Sequence, residues 1–292
     1  MEVLVATSAC QFTSKTGLLG VIGCPVEHSL SPLIHNAALR ADDIDLVYLA
    51  FRVEPNRLEA ALKGVRALGM RGINVTVPHK ETILGLLDDV DALATRVGAV
   101  NTVVNEGDKL VGYNTDVSGF LGALNTVAPG KASGGRFLIA GAGGAARAVV
   151  AGLCQEGAAE VWVYNRTEER AESLCEAARE WGSTRCKVAR LGALPELAAG
   201  VDVLVNASSV GLGATVKLAP FPVDIVSGRQ VVMDLVYGSN QTALVSEALA
   251  KGAVAIDGRE MLVRQAASSY RLWTGREAPV EVMRVAIESV GS

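Results

Sequence analysis

Apolar positions recur with two periods along this chain, and the period switches mark its elements. Residues 16–24 form a glycine-rich apolar run centred on Leu18-Leu19-Gly20-Val21-Ile22-Gly23, which predicts a buried strand. Ser31-Pro32 then opens a helix, with Ser31 suited to the N-cap and Pro32 to the first helical position. Leu33, Ile34, Ala37 and Ala38 make its apolar face. Residues 46–51 read as a strand, and Leu58, Ala61, Leu62 and Val65 follow at helical spacing. A β-branched strand over 72–77 stops at Pro78, residues 80–87 are predicted helical, and 99–105 with 110–113 form a hairpin around Glu106-Gly107.

A loop rich in Gly, Ser and Pro spans 126–135, and beyond it the texture changes. Predicted strands at 137–140, 160–164, 201–206, 231–234 and 253–256 alternate with helical patterns. That rhythm implies a parallel sheet with helices on both faces. Residues 258–292 are mostly helical, with Met261, Leu262, Gln265 and Ala266 on one face and a second pattern over 280–287.

A length of 292 residues adds an expectation of about two domains. Half the residues are apolar and 20% are charged, which excludes a disordered chain. The net charge of −4 comes without a basic run, so no nucleic-acid partner is expected. The cysteines, Cys10, Cys24, Cys154, Cys175 and Cys186, are odd in number and lack a CxxC pair, which reads as reduced thiols in a cytoplasmic protein. His28, His35 and His79 have no metal-ligand spacing, so no metal is expected and structural roles are preferred. No apolar run reaches the roughly 18–20 residues of a membrane span, and the opening stretch, with Glu2 and no Lys or Arg, is a poor signal peptide.

The first chemical motif is Gly141-Ala142-Gly143-Gly144-Ala145-Ala146-Arg147, directly after the strand at 137–140. Its glycines permit a tight turn and let backbone N–H groups approach a pyrophosphate at a helix N-terminus. A strand–helix turn without a ligand is the plainer alternative. The end of the next strand chooses between dinucleotides. An NAD site usually carries Asp or Glu there for the ribose 2′-hydroxyl. This chain has Asn165-Arg166-Thr167 with Arg170 one turn on, and a guanidinium grips a 2′-phosphate that a carboxylate would repel. NADP is therefore predicted over NAD.

Four further segments are polar where packing favours apolar residues: His28-Ser29-Leu30-Ser31-Pro32, Asn74 through Lys80, Gly98-Ala99-Val100-Asn101-Thr102 and Gly112-Tyr113-Asn114-Thr115-Asp116. Ser, Thr and Asn both donate and accept hydrogen bonds, which suits a polyhydroxylated ligand at strand ends. With Met261-Leu262-Val263-Arg264-Gln265-Ala266-Ala267, these segments and the two nucleotide motifs closely resemble the shikimate dehydrogenase family over nearly the whole chain.

The resemblance implies an α/β substrate-binding domain, a Rossmann-like NADP-binding domain and C-terminal helices that pack back on the first. The corresponding division is 1–116 plus 259–292 for substrate and 117–258 for NADP. It implies reversible NADP-dependent reduction of 3-dehydroshikimate to shikimate, in the pathway to chorismate and aromatic amino acids. By the same resemblance Lys80 and Asp116 are catalytic. Substrate would be bound by Ser29, Ser31, Thr76, Lys80, Asn101, Asp116, Tyr237 and Gln265. The cofactor set is Gly141, Ala142, Gly143, Gly144, Ala145, Asn165, Arg166, Thr167, Arg170 and Gly258. By the resemblance, the presence of both Ser29 and Ser31 implies shikimate over quinate, whose extra hydroxyl needs room. Ser208 stands where the family commonly has threonine, Ser239 where it often has proline, and the first 16 residues have no clear counterpart.

Plainer roles compete: Ser31 as a helix cap, Asp116 as the N-cap of a helix over 117–124, and Lys80 as a solvent-facing side chain. Whether Lys80 transfers the proton or only stabilises charge stays open, as does a homodimer. A quinate/shikimate dehydrogenase of broader specificity and a catalytically silent NADP-binding protein are the rival functions.

Overall fold

The structure, a computed structural model, describes residues 12–107, 109–212, 215, 217–238 and 241–289. Ser239 and most of the first 16 residues therefore lie outside the described residues. In chain order the elements are β1 (Gly17–Gly23), α1 (Ser31–Ala41), β2 (Leu46–Arg52), α2 (Leu58–Ala67), β3 (Gly72–Val75), β4 (Asp89–Val90), α3 (Ala92–Val97), β5 (Thr102–Glu106) and β6 (Lys109–Tyr113). There follow α4 (Asp116–Val127), β7 (Arg136–Ala140), α5 (Gly144–Glu156), β8 (Glu160–Tyr164), α6 (Glu168–Ala178), β9 (Arg185–Val188), α7 (Leu194–Gly200) and β10 (Val203–Asn206). The chain closes with β11 (Val231–Asp234), α8 (Ala243–Ala250), β12 (Val254–Ile256), α9 (Arg259–Thr274) and α10 (Val280–Glu288).

Among the described residues the strands form two six-stranded sheets. The first has the order β2-β1-β3-β5-β6-β4. Its β2-β1-β3 part is parallel, whereas β5 runs antiparallel to both β3 and β6. The second has the order β12-β11-β10-β7-β8-β9 and is parallel throughout. Its order reverses between β7 and β10, the switch point at whose carboxyl edge doubly wound sheets bind ligands. Alternation along β7 shows why that sheet is covered on both faces. Phe137 and Ile139 join one buried cluster with α4, α5 and α6 residues, while Leu138 and Ala140 join another with α7 and α8 residues.

The C-terminal helices return to the first sheet. Tyr270, Trp273, Met283 and Ile287 pack in one cluster with Leu19, Ile34 and Tyr48. The Trp273 indole N–H donates to the Val103 carbonyl at 3.0 Å, tying α9 to β5. Helix α4 lies between the sheets, against α9 on one side and α5 on the other. Gly119 makes the first contact possible, because a Cβ there would stand 2.8 Å from the Gln265 Cβ.

Local corrections follow from side-chain geometry. The N-cap of α1 is Leu30, so Ser31 and Pro32 both lie inside the first turn, and no side chain caps it. The cap predicted for Asp116 is instead supplied by Asn114, whose Oδ1 accepts from the N–H groups of Asp116 and Val117 at 3.0 and 3.3 Å. A two-position step back lets the carboxamide reach both donors and leaves the Asp116 carboxylate free for other partners. Residues 80–87 hold only a short 3-10 turn, Thr82–Leu86. The strand predicted over 72–77 ends at Val75, where Thr76 and the cis Val77-Pro78 bond turn the chain.

Candidate active site

The turns that follow the carboxyl ends of β3 and β7 meet, with Lys80 against Gly144. At the first, the turn after Pro78 delivers Lys80. At the second, Gly141 adopts φ +113°, in the region that favours glycine, and a Cβ there would lie 2.7 Å from the Ala207 carbonyl oxygen. Helix α5 then starts at Gly144, with Gly143 as an N-cap that provides no side chain. A Cβ on Gly144 would stand 3.2 Å from the Lys80 Cβ, so the first turn of α5 packs directly on the lysine stem. Arg147, one turn along α5, donates to the Val97 carbonyl and closes the far side of the contact.

Lys80 Nζ donates to Asp116 Oδ2 at 2.6 Å, with side chains only 17% and 6% exposed. The other carboxylate oxygen accepts from Asn101 Nδ2 at 2.9 Å. Gln265 Oε1 accepts from the same amide at 3.3 Å, while its own Nε2 is held by the Leu262 carbonyl. Lys80, Asp116, Asn101 and Gln265 thus form one connected, largely buried cluster. Each carboxylate oxygen has a donor, which fixes the plane of Asp116 and hence the position of the ammonium.

The cluster continues through residues to which the sequence reading assigned no role, although Asn74, Thr102 and Thr115 lie in its polar segments. Asn101 Oδ1 accepts from the backbone N–H of Thr115 at 2.8 Å. The Thr102 hydroxyl bonds that of Ser269 at 2.8 Å, and both receive Asn74 Nδ2 at 3.1 Å. Tyr48 donates its hydroxyl to Asn74 Oδ1 at 2.7 Å. Strand and helix periods carried this signal: Asn74, on β3, is two positions before Thr76, and Ser269 is one helical turn beyond Gln265 on α9.

The remaining substrate candidates lie around this network. Buried Ser31 sits beside the Tyr48 hydroxyl, and Ser29 Oγ accepts from the Ser31 N–H at 3.3 Å. Thr76 is half-buried at the end of β3, its backbone N–H bonded to the Ile22 carbonyl. Tyr237 packs against the α1–α9 cluster, where burial pushes its hydroxyl up to about 12 and the Asp116 charge adds to the shift.

The nucleotide candidates divide. Gly141, Ala142, Gly143, Gly144 and Ala145 form the turn at the start of α5. Asn165, Arg166 and Thr167 follow β8, where the Asn165 amide donates to the Thr167 carbonyl and Arg166 is exposed. Arg170 reaches Glu81, the neighbour of Lys80, at 3.6 Å. Gly258 is buried against the Leu235–Tyr237 turn, its N–H bonded to the Val236 carbonyl, on the same sheet edge but away from the glycine turn.

These residues fit a phosphorylated dinucleotide. The N-terminal N–H groups of α5 lack a side-chain cap, open space surrounds the missing Cβ of Gly143, and the exposed cation Arg166 follows β8. The first acidic residue beyond Arg166, Glu168, is drawn to Arg190 at 2.7 Å.

Comparisons with known proteins identify the family. Family models match the chain at residues 21–103 (shikimate dehydrogenase substrate binding domain), 124–212 (shikimate / quinate 5-dehydrogenase) and 258–288 (shikimate 5′-dehydrogenase C-terminal domain). The shikimate dehydrogenase (NADP(+)) of Moorella thermoacetica is 48% identical over 285 residues, covering 97% of this chain and 96% of that protein. The crystal structure of shikimate dehydrogenase from Aquifex aeolicus aligns with a TM-score of 0.87 at 40% identity, covering 95% of this chain and 99% of the other. That of shikimate 5-dehydrogenase from Thermus thermophilus, in complex with NADP(H) and shikimate, aligns with a TM-score of 0.83 at 38% identity, covering 94% and 99%. The chain belongs to the shikimate dehydrogenase family.

Proposed function

We propose that this protein catalyses the reversible NADP-dependent reduction of 3-dehydroshikimate to shikimate, in the pathway to chorismate and aromatic amino acids. The observation that carries this reading is the Lys80–Asp116 pair, 2.6 Å apart, packed against the first turn of α5 beneath the glycine turn. When bound, NADPH supplies the hydride. Lys80 and Asp116 hold the substrate oxygen on which charge develops, and the ammonium stabilises that charge inside a cleft where water is scarce. Asn101 and Gln265 hold Asp116 and bind ring hydroxyls. Thr76 adds a further hydroxyl, and Ser29, Ser31 and Tyr237 bind the carboxylate as neutral donors. The turn from Gly141 to Ala145 carries the pyrophosphate, and Asn165, Arg166, Thr167 and Arg170 carry the 2′-phosphate side. Gly258 acts through the Tyr237 turn that it supports.

In this reading the substrate unit is 1–116 plus 259–292 and the cofactor unit 117–258. Among the described residues no helix is long and apolar enough to cross a membrane. The four described cysteines are free thiols, which supports a cytoplasmic setting. The test is spectrophotometric: purified protein with shikimate and NADP forms NADPH, and with quinate or NAD it is much slower. NADPH binding without turnover on either acid overturns the proposal in favour of a silent binding protein. Comparable rates on quinate favour the broader enzyme.

A further inference from the structure

Two sulfurs meet at the outer edge of the second sheet, away from the Lys80–Asp116 pair. Cys175 lies in α6 and Cys186 on β9, the edge strand. The Cys186 thiol donates to the Cys175 sulfur at 3.1 Å, across an interval of 11 residues. Cys154, on α5, turns its thiol instead toward the Ala178 carbonyl. Cys175 is 6% exposed and Cys186 is half-buried. The donated S–H bond holds the Cys175 thiol below its ordinary range, helped by the Arg179 charge, and pushes that of Cys186 up. The bond therefore favours Cys175 as the sulfur that gives up its proton more readily, the asymmetry that directs thiol oxidation.

We propose that Cys175 and Cys186 form a reversible disulfide site driven by hydrogen peroxide. The Cys175 thiolate attacks one peroxide oxygen and breaks the O–O bond, becoming a sulfenic acid and releasing hydroxide, which takes up the proton lost from Cys175. The Cys186 sulfur then attacks the sulfenic sulfur, and the S–O bond breaks. The departing hydroxyl leaves as water with the Cys186 proton. Peroxide gains the two electrons that the two thiols lose, and the products are one disulfide and two waters. A thiol reductant reverses the bond by exchange.

The experiment uses the reduced full-length protein, treated with hydrogen peroxide, alkylated and digested with trypsin without reductant. Arg179 and Arg185 lie between the cysteines, so trypsin separates peptide 171–179 from peptide 186–187. The expected result is a linked 171–179/186–187 species as the main oxidised product, lost on dithiothreitol treatment, with two fewer free thiols per chain. In Cys186→Ser the link is absent and a sulfenic-acid trap labels Cys175. The wild-type map decides even if that variant folds poorly. Failure to form the linked species while circular dichroism shows folded protein overturns the proposal, as does oxidation of Cys24 or Cys154 ahead of the pair.

Discussion

Lys80 and Asp116 are 36 positions apart, yet the ammonium and the carboxylate meet at 2.6 Å. One stands in the turn after β3 and the other opens α4. Their meeting depends on Asn114, which takes over the helix cap, and on Asn101, which holds the second carboxylate oxygen. Removing either charge leaves its partner in a largely buried site, which is costly in itself.

Lys80→Ala is therefore expected to lower kcat by about 10²–10⁴-fold, the usual range for a positioned acid–base group, with a smaller change in the KM for shikimate. Asp116→Asn is expected to lower kcat in the same direction. Steady-state NADPH formation measures both. Near-normal kcat at saturating substrate in the lysine variant would remove it from the chemistry.

Cofactor choice is assigned to the exposed guanidinium after β8. Arg166→Asp replaces a donor to the 2′-phosphate with a charge that repels it. The ratio of kcat/KM for NADP to that for NAD should fall at least about tenfold, since a hydrogen bond to a charged group contributes roughly 1.5–3 kcal/mol. An unchanged ratio would free Arg166 of this role.

Much of the second sheet is legible in the sequence because its inner strands are apolar runs closed by turn residues. Residues 137–140, all buried, lead straight into Gly141. Edge strand β9, Arg-Cys-Lys-Val, escapes notice because its alternating charged positions read as surface. At the site, Lys80, Asp116, Asn101 and Gln265 are recognisable by type and motif, but their mutual bonds span up to 164 positions and leave no local trace. The contact of Gly144 with the Lys80 stem is similarly invisible, since a glycine's packing neighbour has no periodic signature. Ser31 shows the opposite error: a good capping residue beside proline suggested an N-cap, and the helix began one residue earlier.

His35 gives the protein a dependence on acid. The ring is fully buried, stacked on Tyr48 at 4.4 Å, and burial pushes its pKa from 6.5 down to about 3, an effect Asn74 offsets only in part. With the folded value below the unfolded one, the stabilisation is whole above pH 6.5 and is lost as pH falls toward 3. His35→Phe keeps the stack and removes the proton site. In urea titrations the variant should be spared about 2 kcal/mol of the wild-type loss between pH 7 and pH 5. Parallel pH profiles for the two proteins would refute this account.

Asp234 acts with the opposite sign. It ends β11, 1% exposed, and accepts from Asn206, Thr242 and the Val236 N–H, yet desolvation still raises its pKa from 3.8 to about 6. The folded state prefers the protonated acid. The penalty is absent well below pH 3.8, grows as pH rises through the interval and is complete above about 6. Asp234→Asn preserves the acceptor for Asn206 and Val236 and turns a donor toward the Thr242 hydroxyl, which can accept it. Relative to wild type, the variant should gain about 2–3 kcal/mol of stability between pH 4 and pH 7. Urea midpoints for both proteins across that range measure the difference. A gap that stays constant, or that widens against the variant as pH rises, would show that the buried carboxylate is satisfied by its three donors and carries no net cost.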